Sequence, residues 1–229
     1  MFKNYLKTSW MIGAGIVALL ASFTGNAQIN QRFAEAQQQN ARALRQYKWK
    51  SRTEILKDGD SKKTQVTAMR YDATGQLQKT IISSTPEPDL PSFGLRGHIA
   101  QKKKKEFLEK IEQLTALAKT YGNLPPDAMQ RFVTAATFTP DERNLIRMEG
   151  HNVVQTGDAM VIFIDGVSRK QRRIEIHSYL EDKPITIVSE FKDLPANGPT
   201  YVSNSRVSYD GNSIVLITEN FDYVLRKAL

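Results

Sequence analysis

The chain has 229 residues, of which 40% are hydrophobic and 24% are charged. These proportions are ordinary for a globular protein and argue against a wholly disordered chain. The sequence contains no cysteine, which excludes disulfides, thiolate zinc sites, cysteine nucleophiles and lipidation of a cysteine. We therefore expect one domain that is held together by its hydrophobic core alone.

The first 27 residues have the three parts of an export signal. Lys3 and Lys7 give a positive start, residues 11–23 are uncharged and mostly apolar, and residues 25–27 read Gly-Asn-Ala, a small-residue site for a signal peptidase. We predict cleavage after Ala27 and a periplasmic mature protein. The alternative is an uncleaved anchor, which the short, glycine-interrupted apolar stretch disfavours.

The formal net charge of the chain is +8. In an exported protein this excess favours an anionic membrane surface or acidic envelope partners, and it disfavours nucleic acid. A generally basic, soluble surface is the simpler interpretation. The run Lys102–Lys105 lies near the start of a predicted helix, where cations oppose the helix dipole, so a binding role and a solvated helix end both stay open.

The N-terminal half predicts a surface helix followed by a three-stranded meander. Residues 29–46 are rich in Ala, Gln and Arg, which are good helix formers. Strict alternation then predicts a strand with one apolar or small face, made of Tyr47, Trp49, Ser51, Thr53 and Ile55. Turns at 57–60 and 72–75 lead into strands at 63–71 and 76–83, and turns this short join antiparallel strands.

The middle of the chain predicts helices. Prolines 86, 88 and 91 end the first sheet block, and a helix follows over about residues 99–121. Its apolar stripe consists of Phe107, Leu108, Ile111, Leu114, Ala118 and Tyr121. Pro125 or Pro126 begins a shorter helix, and Thr139–Glu142 resembles a capped helix start. We place this helical insertion at about residues 97–143.

Strand patterns resume after the helices and continue to the end. We predict six strands, at residues 145–155, 159–164, 170–179, 184–191, 200–209 and 213–224, joined mostly by short polar turns. The fold class is therefore α+β, with one mostly antiparallel, curved sheet wrapped around the helices in a single domain over residues 28–229.

No catalytic or metal site is predicted. His98, His151 and His177 are far apart, and alternation turns His177 to solvent together with Arg173 and Glu175. The turn at residues 58–61 resembles a calcium loop but has Met69 where a glutamate is needed. Neither Ser168 nor Ser189 lies in a nucleophile motif, and there is no glycine-rich phosphate loop. We expect that the protein is not an enzyme and has no cofactor. An unrecognised hydrolase is a further alternative to the binding functions described below.

Three predicted strands are apolar on both faces: 159–164, 185–188 and 214–217. Such strands need cover on both sides. The helices can cover one face, and a curved sheet under a helical lid can form a hydrophobic pocket, although plain core packing explains most of the pattern. The predicted pocket residues are Trp49, Met69, Phe107, Ile111, Leu114, Met160, Phe163, Ile176 and Ile187.

The order of these elements resembles the LolA/LolB-type lipoprotein-carrier superfamily over most of residues 29–229. The resemblance is carried by the export signal, the N-terminal helix, the strand YKWKSRTEIL, the hairpin YDATGQLQKT, the helical insertion and the segment VIFIDGVSRKQRRIEIHSYLEDKPITIVSEF. It implies an unclosed β-barrel whose helices form a lid over an apolar cavity for acyl chains. Arg52, Arg70 and Arg147 are candidates for the cargo-gating arginine of that family.

These observations predict an exported, non-enzymatic carrier or binding protein for a lipid or lipid-modified ligand of the cell envelope. The alternative is a periplasmic interaction module of an envelope complex, in which the sheet faces a protein partner and no ligand pocket exists.

Overall fold

The structure is a computed structural model that describes residues 38–85, 94–141 and 144–226. The predicted export signal lies outside these residues. The helices are α1 over residues 38–44, α2 over Gly94–Gly122 and α3 over Pro126–Ala135. The strands are β1 Tyr47–Lys57, β2 Asp60–Tyr71, β3 Leu77–Ser84, β4 Thr137–Pro140, β5 Leu145–His151, β6 Ala159–Asp165, β7 Gln171–Leu180, β8 Lys183–Asp193, β9 Thr200–Tyr209 and β10 Ile214–Leu225.

Within the described ranges, the ten strands form one antiparallel sheet in the order β3-β2-β1-β10-β9-β8-β7-β6-β5-β4. The sheet does not close, because β3 and β4 are its two edges. It curves around α2, and this confirms the predicted α+β class with an unclosed barrel and helices over one face. No helix among the described residues is long and apolar enough to cross a lipid bilayer.

Short hairpins set the register of the sheet where the sequence predicts them. Asp58 and Gly59 both have positive φ, 55° and 85°, as a two-residue turn between right-twisted strands requires. Glu181 and Asp182 repeat this geometry between β7 and β8, with φ of 51° and 61°.

Two sequence predictions of local structure are wrong. Thr139 and Pro140 belong to β4 and not to a helix start, since β4 pairs with β5 and an edge strand tolerates the missing proline N–H. Strand β5 ends at His151 and not at residue 155. The backbone N–H groups of residues 153–155 donate to the Asp158 carboxylate, so they are not available to a sheet ladder.

The hydrophobic core lies between α2, α3 and one face of the sheet, which we call the concave face. The predicted apolar stripe of α2 forms its upper side, with Ile111, Leu114, Ala118 and Tyr121 buried. Helix α3 adds Ala128 and Phe132, and the latter packs against Gly150 of β5. The long helix therefore lies on the sheet through side chains that its own sequence periodicity identifies.

Candidate binding site on the concave face

The sheet under α2 carries a continuous row of apolar side chains, which we call the apolar floor. Its members lie opposite one another on six neighbouring strands and are at most 4% exposed: Met160, Ile176, Ile187, Val207, Leu216 and Ile55. Five strand spacings of about 4.8 Å make this row about 24 Å long. The row crosses the strands, so its length is set by the number of paired strands.

Helix α2 contacts the floor mainly through apolar side chains and adds polar contacts at separate points. Lys110 Nζ lies 2.7 Å from Glu181 Oε1 in the turn between β7 and β8, and 5.7 Å from the centre of the Tyr209 ring. Nearer the start of the helix, the Phe107 ring lies 5.5 Å from Lys57 Nζ at the end of β1. Residues 98–106, before Phe107, are largely exposed.

The C-terminal end of α2 is held by a buried polar cluster, which we call the Asp158 anchor. The Tyr121 hydroxyl donates to Asp158 Oδ2 at 2.5 Å and lies 2.9 Å from Ser178 Oγ. Asp158 is fully buried and also accepts the backbone N–H groups of Val153, Val154 and Gln155. Burial, the hydrogen bond to Asp158 and its negative charge raise the pKa of Tyr121, although Ser178 acts in the opposite direction.

The next part of the concave face is polar. On β8, β9, β10, β1 and β2, the side chains beside the apolar floor are hydroxyls and amides, and we call this group the polar belt. Its members are Ser189, Ser205, Thr218, Thr53, Gln65, Ser51, Thr67 and Asn220. Two contacts within the belt are Ser189 Oγ to Ser205 Oγ at 3.0 Å and Gln65 Nε2 to Thr67 Oγ1 at 3.1 Å. Thr218 Oγ1 is buried and has no hydrogen-bond partner among the described residues.

Beyond the belt lies an aromatic cluster around Trp49. The Trp49 ring stacks on Tyr223 at 5.5 Å between centres and 2° between planes, and Tyr201 approaches Tyr223 at 4.4 Å. Met69 and Tyr71 complete the buried part of the cluster. Lys79 of β3 lies opposite Met69, and burial, together with the charge of Lys119 on α2, lowers the pKa of Lys79 to about 8. Strand β3 and the end of α2 are therefore close enough to interact electrostatically.

The nine predicted pocket residues fall into three places. Ile111, Leu114, Met160, Ile176 and Ile187 are buried in the main core, and Phe107 packs against them. Trp49 and Met69 lie in the separate aromatic cluster. Phe163 is half-buried on the opposite face of β6, where its neighbours across the strands are Arg147 and Arg173. That these residues bind a ligand stays a prediction.

The opposite face of the sheet, which we call the convex face, carries a network of ion pairs. Arg173 contacts Glu175 and Glu190, with nitrogen–oxygen distances of 2.6 and 3.2 Å. Of the three candidate gating arginines, Arg147 pairs with Glu149, Arg52 lies 3.8 Å from carboxylate oxygens of Glu54 and Glu219, and Arg70 is exposed. The concave face bears no such network among the described residues of the apolar floor and the polar belt.

The histidine and lysine side chains that the sequence suggested as possible binding groups lie outside the concave site or form ion pairs. His177 is exposed, as predicted. Lys102 and Lys105 pair one helical turn along α2 with Glu106 and Glu109. No group of three or more His, Asp or Glu among the described residues is arranged to hold a metal ion. Asp158 was not predicted as a site residue, because its donors come from its own loop and from a helix 37 positions earlier.

Comparison with known proteins finds likeness only at the level of structure. No protein-family model matches the chain, and no curated protein sequence does. Among solved structures, a LolA superfamily protein from Nitrosomonas europaea is similar at a TM-score of 0.36 and 10% identity, over 87% of this chain and 94% of that one. A DUF1329 family protein from Desulfovibrio piger is similar at a TM-score of 0.42 and 7% identity, with the same two coverages. At such low identities and TM-scores, the function has to be argued from this chain's own residues.

Proposed function

We propose that the protein is an exported, non-enzymatic binding or carrier protein of the cell envelope, and that it holds an acyl chain between α2 and the apolar floor. The observation that carries this proposal is the apolar floor itself: six buried apolar side chains in register, about 24 Å long, beneath one amphipathic helix. An acyl chain that lies across the strands would find apolar contacts along this whole length.

Helix α2 acts as the lid in this proposal. Its contacts with the floor are apolar side chains, which a bound chain can replace at about 0.8 kcal/mol for each buried methylene. The Asp158 anchor fixes the end of the helix, whereas residues 98–106 near its start are largely exposed. The lid would therefore open at its N-terminal half and pivot near Tyr121.

Cross-linking of the lid tests this proposal, because the chain has no cysteine and two introduced cysteines are the only reactive thiols. The pair Lys110→Cys and Glu181→Cys joins α2 to the sheet, where the native side chains are 2.7 Å apart. The matched control is Lys50→Cys with Asp222→Cys, a pair whose native side chains are 2.9 Å apart on β1 and β10. Both pairs receive the same short bis-maleimide.

We expect the delipidated wild-type protein to bind a dansyl-labelled fatty acid saturably, with a rise in fluorescence. The cross-link at Lys110 and Glu181 should abolish that rise, and the cross-link at Lys50 and Asp222 should leave it unchanged. Mass spectrometry of an organic extract of the purified protein would identify a co-purified lipid. If delipidated wild-type protein binds no acyl probe, the carrier function is wrong and the envelope interaction module becomes the better explanation.

A further inference from the structure

A cleft lies at the other end of β6 and β7 from the Asp158 anchor. Its volume is about 370 Å³, which falls within the range of small-molecule sites. Three segments form its walls: helix α1, the turn between β6 and β7, and the loop between β8 and β9. Phe191 lines the cleft and also belongs to the main core, so the cleft is built on the body of the protein.

The walls of this cleft are joined by hydrogen bonds. Asn40 of α1 donates its Nδ2 to the Thr200 carbonyl oxygen at 2.7 Å and accepts the Thr200 N–H on its Oδ1 at 2.6 Å. The Gly198 N–H donates to the Leu194 carbonyl oxygen at 3.1 Å, which closes the loop between β8 and β9 on itself. The frame is therefore formed before any ligand binds, and the Asn40 amide contributes one donor and one acceptor to it.

One polar group in the wall has no partner. Gln171, the first residue of β7, lines the cleft and is 5% exposed, and its Nε2 has no hydrogen-bond partner among the described residues. The Nε2 atom itself is covered by protein, so the amide has to turn toward the cleft before a ligand oxygen can accept from it. A buried donor without an acceptor is unfavourable, so such an acceptor would relieve that cost. A ligand that uses this N–H donor must carry an oxygen atom that accepts a hydrogen bond.

The charges around the cleft favour an anion. Asp193 is already neutralised by Lys170 Nζ at 3.2 Å and Arg172 Nη1 at 3.0 Å. Arg169 lines the cleft, is exposed, and forms no ion pair with a described residue. Asp165 faces Arg172. The positive charges of Arg169, Lys170 and Arg172 therefore exceed the negative charges of Asp165 and Asp193 by one. A guanidinium and a buried amide donor on one wall are groups that bind carboxylate or phosphate oxygens.

We propose that this cleft is a binding site for a small organic anion, whose carboxylate or phosphate oxygens pair with Arg169 and accept a hydrogen bond from Gln171 Nε2 once the amide has turned toward the cleft. The remainder of the ligand lies against Phe191. The site is separate from the acyl site in the proposed function, since it opens on the turn between β6 and β7 and contains no residue of α2.

Calorimetric titration of the full mature chain tests this site with defined probes. The probes are glycerol 3-phosphate and benzoate, with glycerol as the neutral comparison, and phosphatidylcholine vesicles with and without phosphatidic acid. The variants are Arg169→Gln, which removes the exposed charge, and Gln171→Met, which removes the amide at nearly constant volume. Arg131→Gln on α3 is the matched control, because it removes one exposed guanidinium away from the cleft.

We expect at least one soluble anion to bind saturably, glycerol not to bind, and Arg169→Gln and Gln171→Met each to raise Kd about tenfold or more, as the loss of one charge-assisted hydrogen bond predicts. Arg131→Gln should leave Kd unchanged. Binding confined to vesicles that contain phosphatidic acid, and lost in Arg169→Gln, would support the same chemistry and identify a lipid head group as its source. The protein cross-linked at Lys110 and Glu181 should bind the soluble anion normally, which separates this site from the acyl site.

Two results would overturn the proposal. One is the absence of saturable binding of any anion, soluble or in vesicles, to the wild-type chain. The other is anion binding that Arg169→Gln does not weaken, since this exposed substitution leaves the fold intact even if Gln171→Met does not.

Discussion

The apolar floor and the polar belt are neighbouring parts of one buried sheet face, yet they are built from opposite side chains. The floor packs against α2 through isoleucine, valine, leucine and methionine. The belt buries hydroxyls and amides, of which Ser189 pairs with Ser205, whereas Thr218 has no partner among the described residues. Burial of apolar surface stabilises a fold, and burial of a hydroxyl does so only when it is hydrogen-bonded. The floor therefore holds the fold together, and the belt stabilises it only where its side chains are hydrogen-bonded to one another.

Truncation in the floor should have the largest effect. Met160→Ala removes a side chain that is 1% exposed beneath α2, and we expect it to lower the free energy of unfolding by about 2–5 kcal/mol. Urea denaturation followed by circular dichroism measures this change. Ile81→Ala is the control, because Ile81 is 54% exposed on the edge strand and its truncation should cost less than about 0.5 kcal/mol. Equal losses in the two variants would mean that the floor is not the main core.

An intermediate effect is expected where the floor ends at the Asp158 anchor. Tyr121→Phe keeps the ring but removes the hydroxyl that contacts Asp158 and Ser178, so the buried carboxylate loses a donor. We expect a loss of about 1–3 kcal/mol in the same denaturation experiment. Tyr201→Phe is the matched control, since its ring packs on Tyr223 and its hydroxyl has no hydrogen-bond partner among the described residues. A Tyr121→Phe variant as stable as wild type would show that the anchor does not hold α2.

The smallest effect, with the opposite sign, is expected at Thr218 in the belt. Thr218→Val replaces an unpartnered buried hydroxyl by a methyl group of similar size, and we expect stability to stay equal or to rise by up to about 1 kcal/mol. Thr67→Val, its counterpart on β2, removes the acceptor of Gln65 and should lower stability by about 1 kcal/mol. Thermal unfolding of the two variants side by side measures the difference. A clear loss for Thr218→Val would point to a bound water or ligand at its hydroxyl.

Periodicity in the sequence predicts most of this fold. Alternation from Tyr47 to Ile55 predicts β1, and the steps from Phe107 to Tyr121 predict the buried face of α2. These patterns are local, and each reports which side of an element is buried. The strand boundary at residue 155 was missed because the loop is organised by one carboxylate, Asp158, whose hydrogen bonds have no periodic signature.

Site geometry was predictable only in part. The strand containing Phe163 is apolar on both sides, so its sequence does not indicate which residues face α2. Trp49 and Ile55 share a face of β1, so alternation alone places them in one core. Strand β10 has an extra residue near Tyr223, and the aromatic side chains there form a separate cluster. The cleft lined by Gln171 combines three segments far apart in the chain, and no single one of them has a motif.

The strand order has a consequence for folding during synthesis. The first and last strands of the described chain are partners, with Tyr47 opposite Leu225, whereas within β1–β3 and within β4–β10 each strand pairs with its neighbour in sequence. Because pairing distant segments is the slow part of folding, the two meanders can form early, and the pairing of β1 with β10 then joins them. The apolar floor passes from Leu216 of β10 to Ile55 of β1, so a chain still emerging from a ribosome holds this surface in two separate pieces. Pulse-labelled hydrogen exchange during refolding should accordingly show the amides that pair β1 with β10 as the last to gain protection.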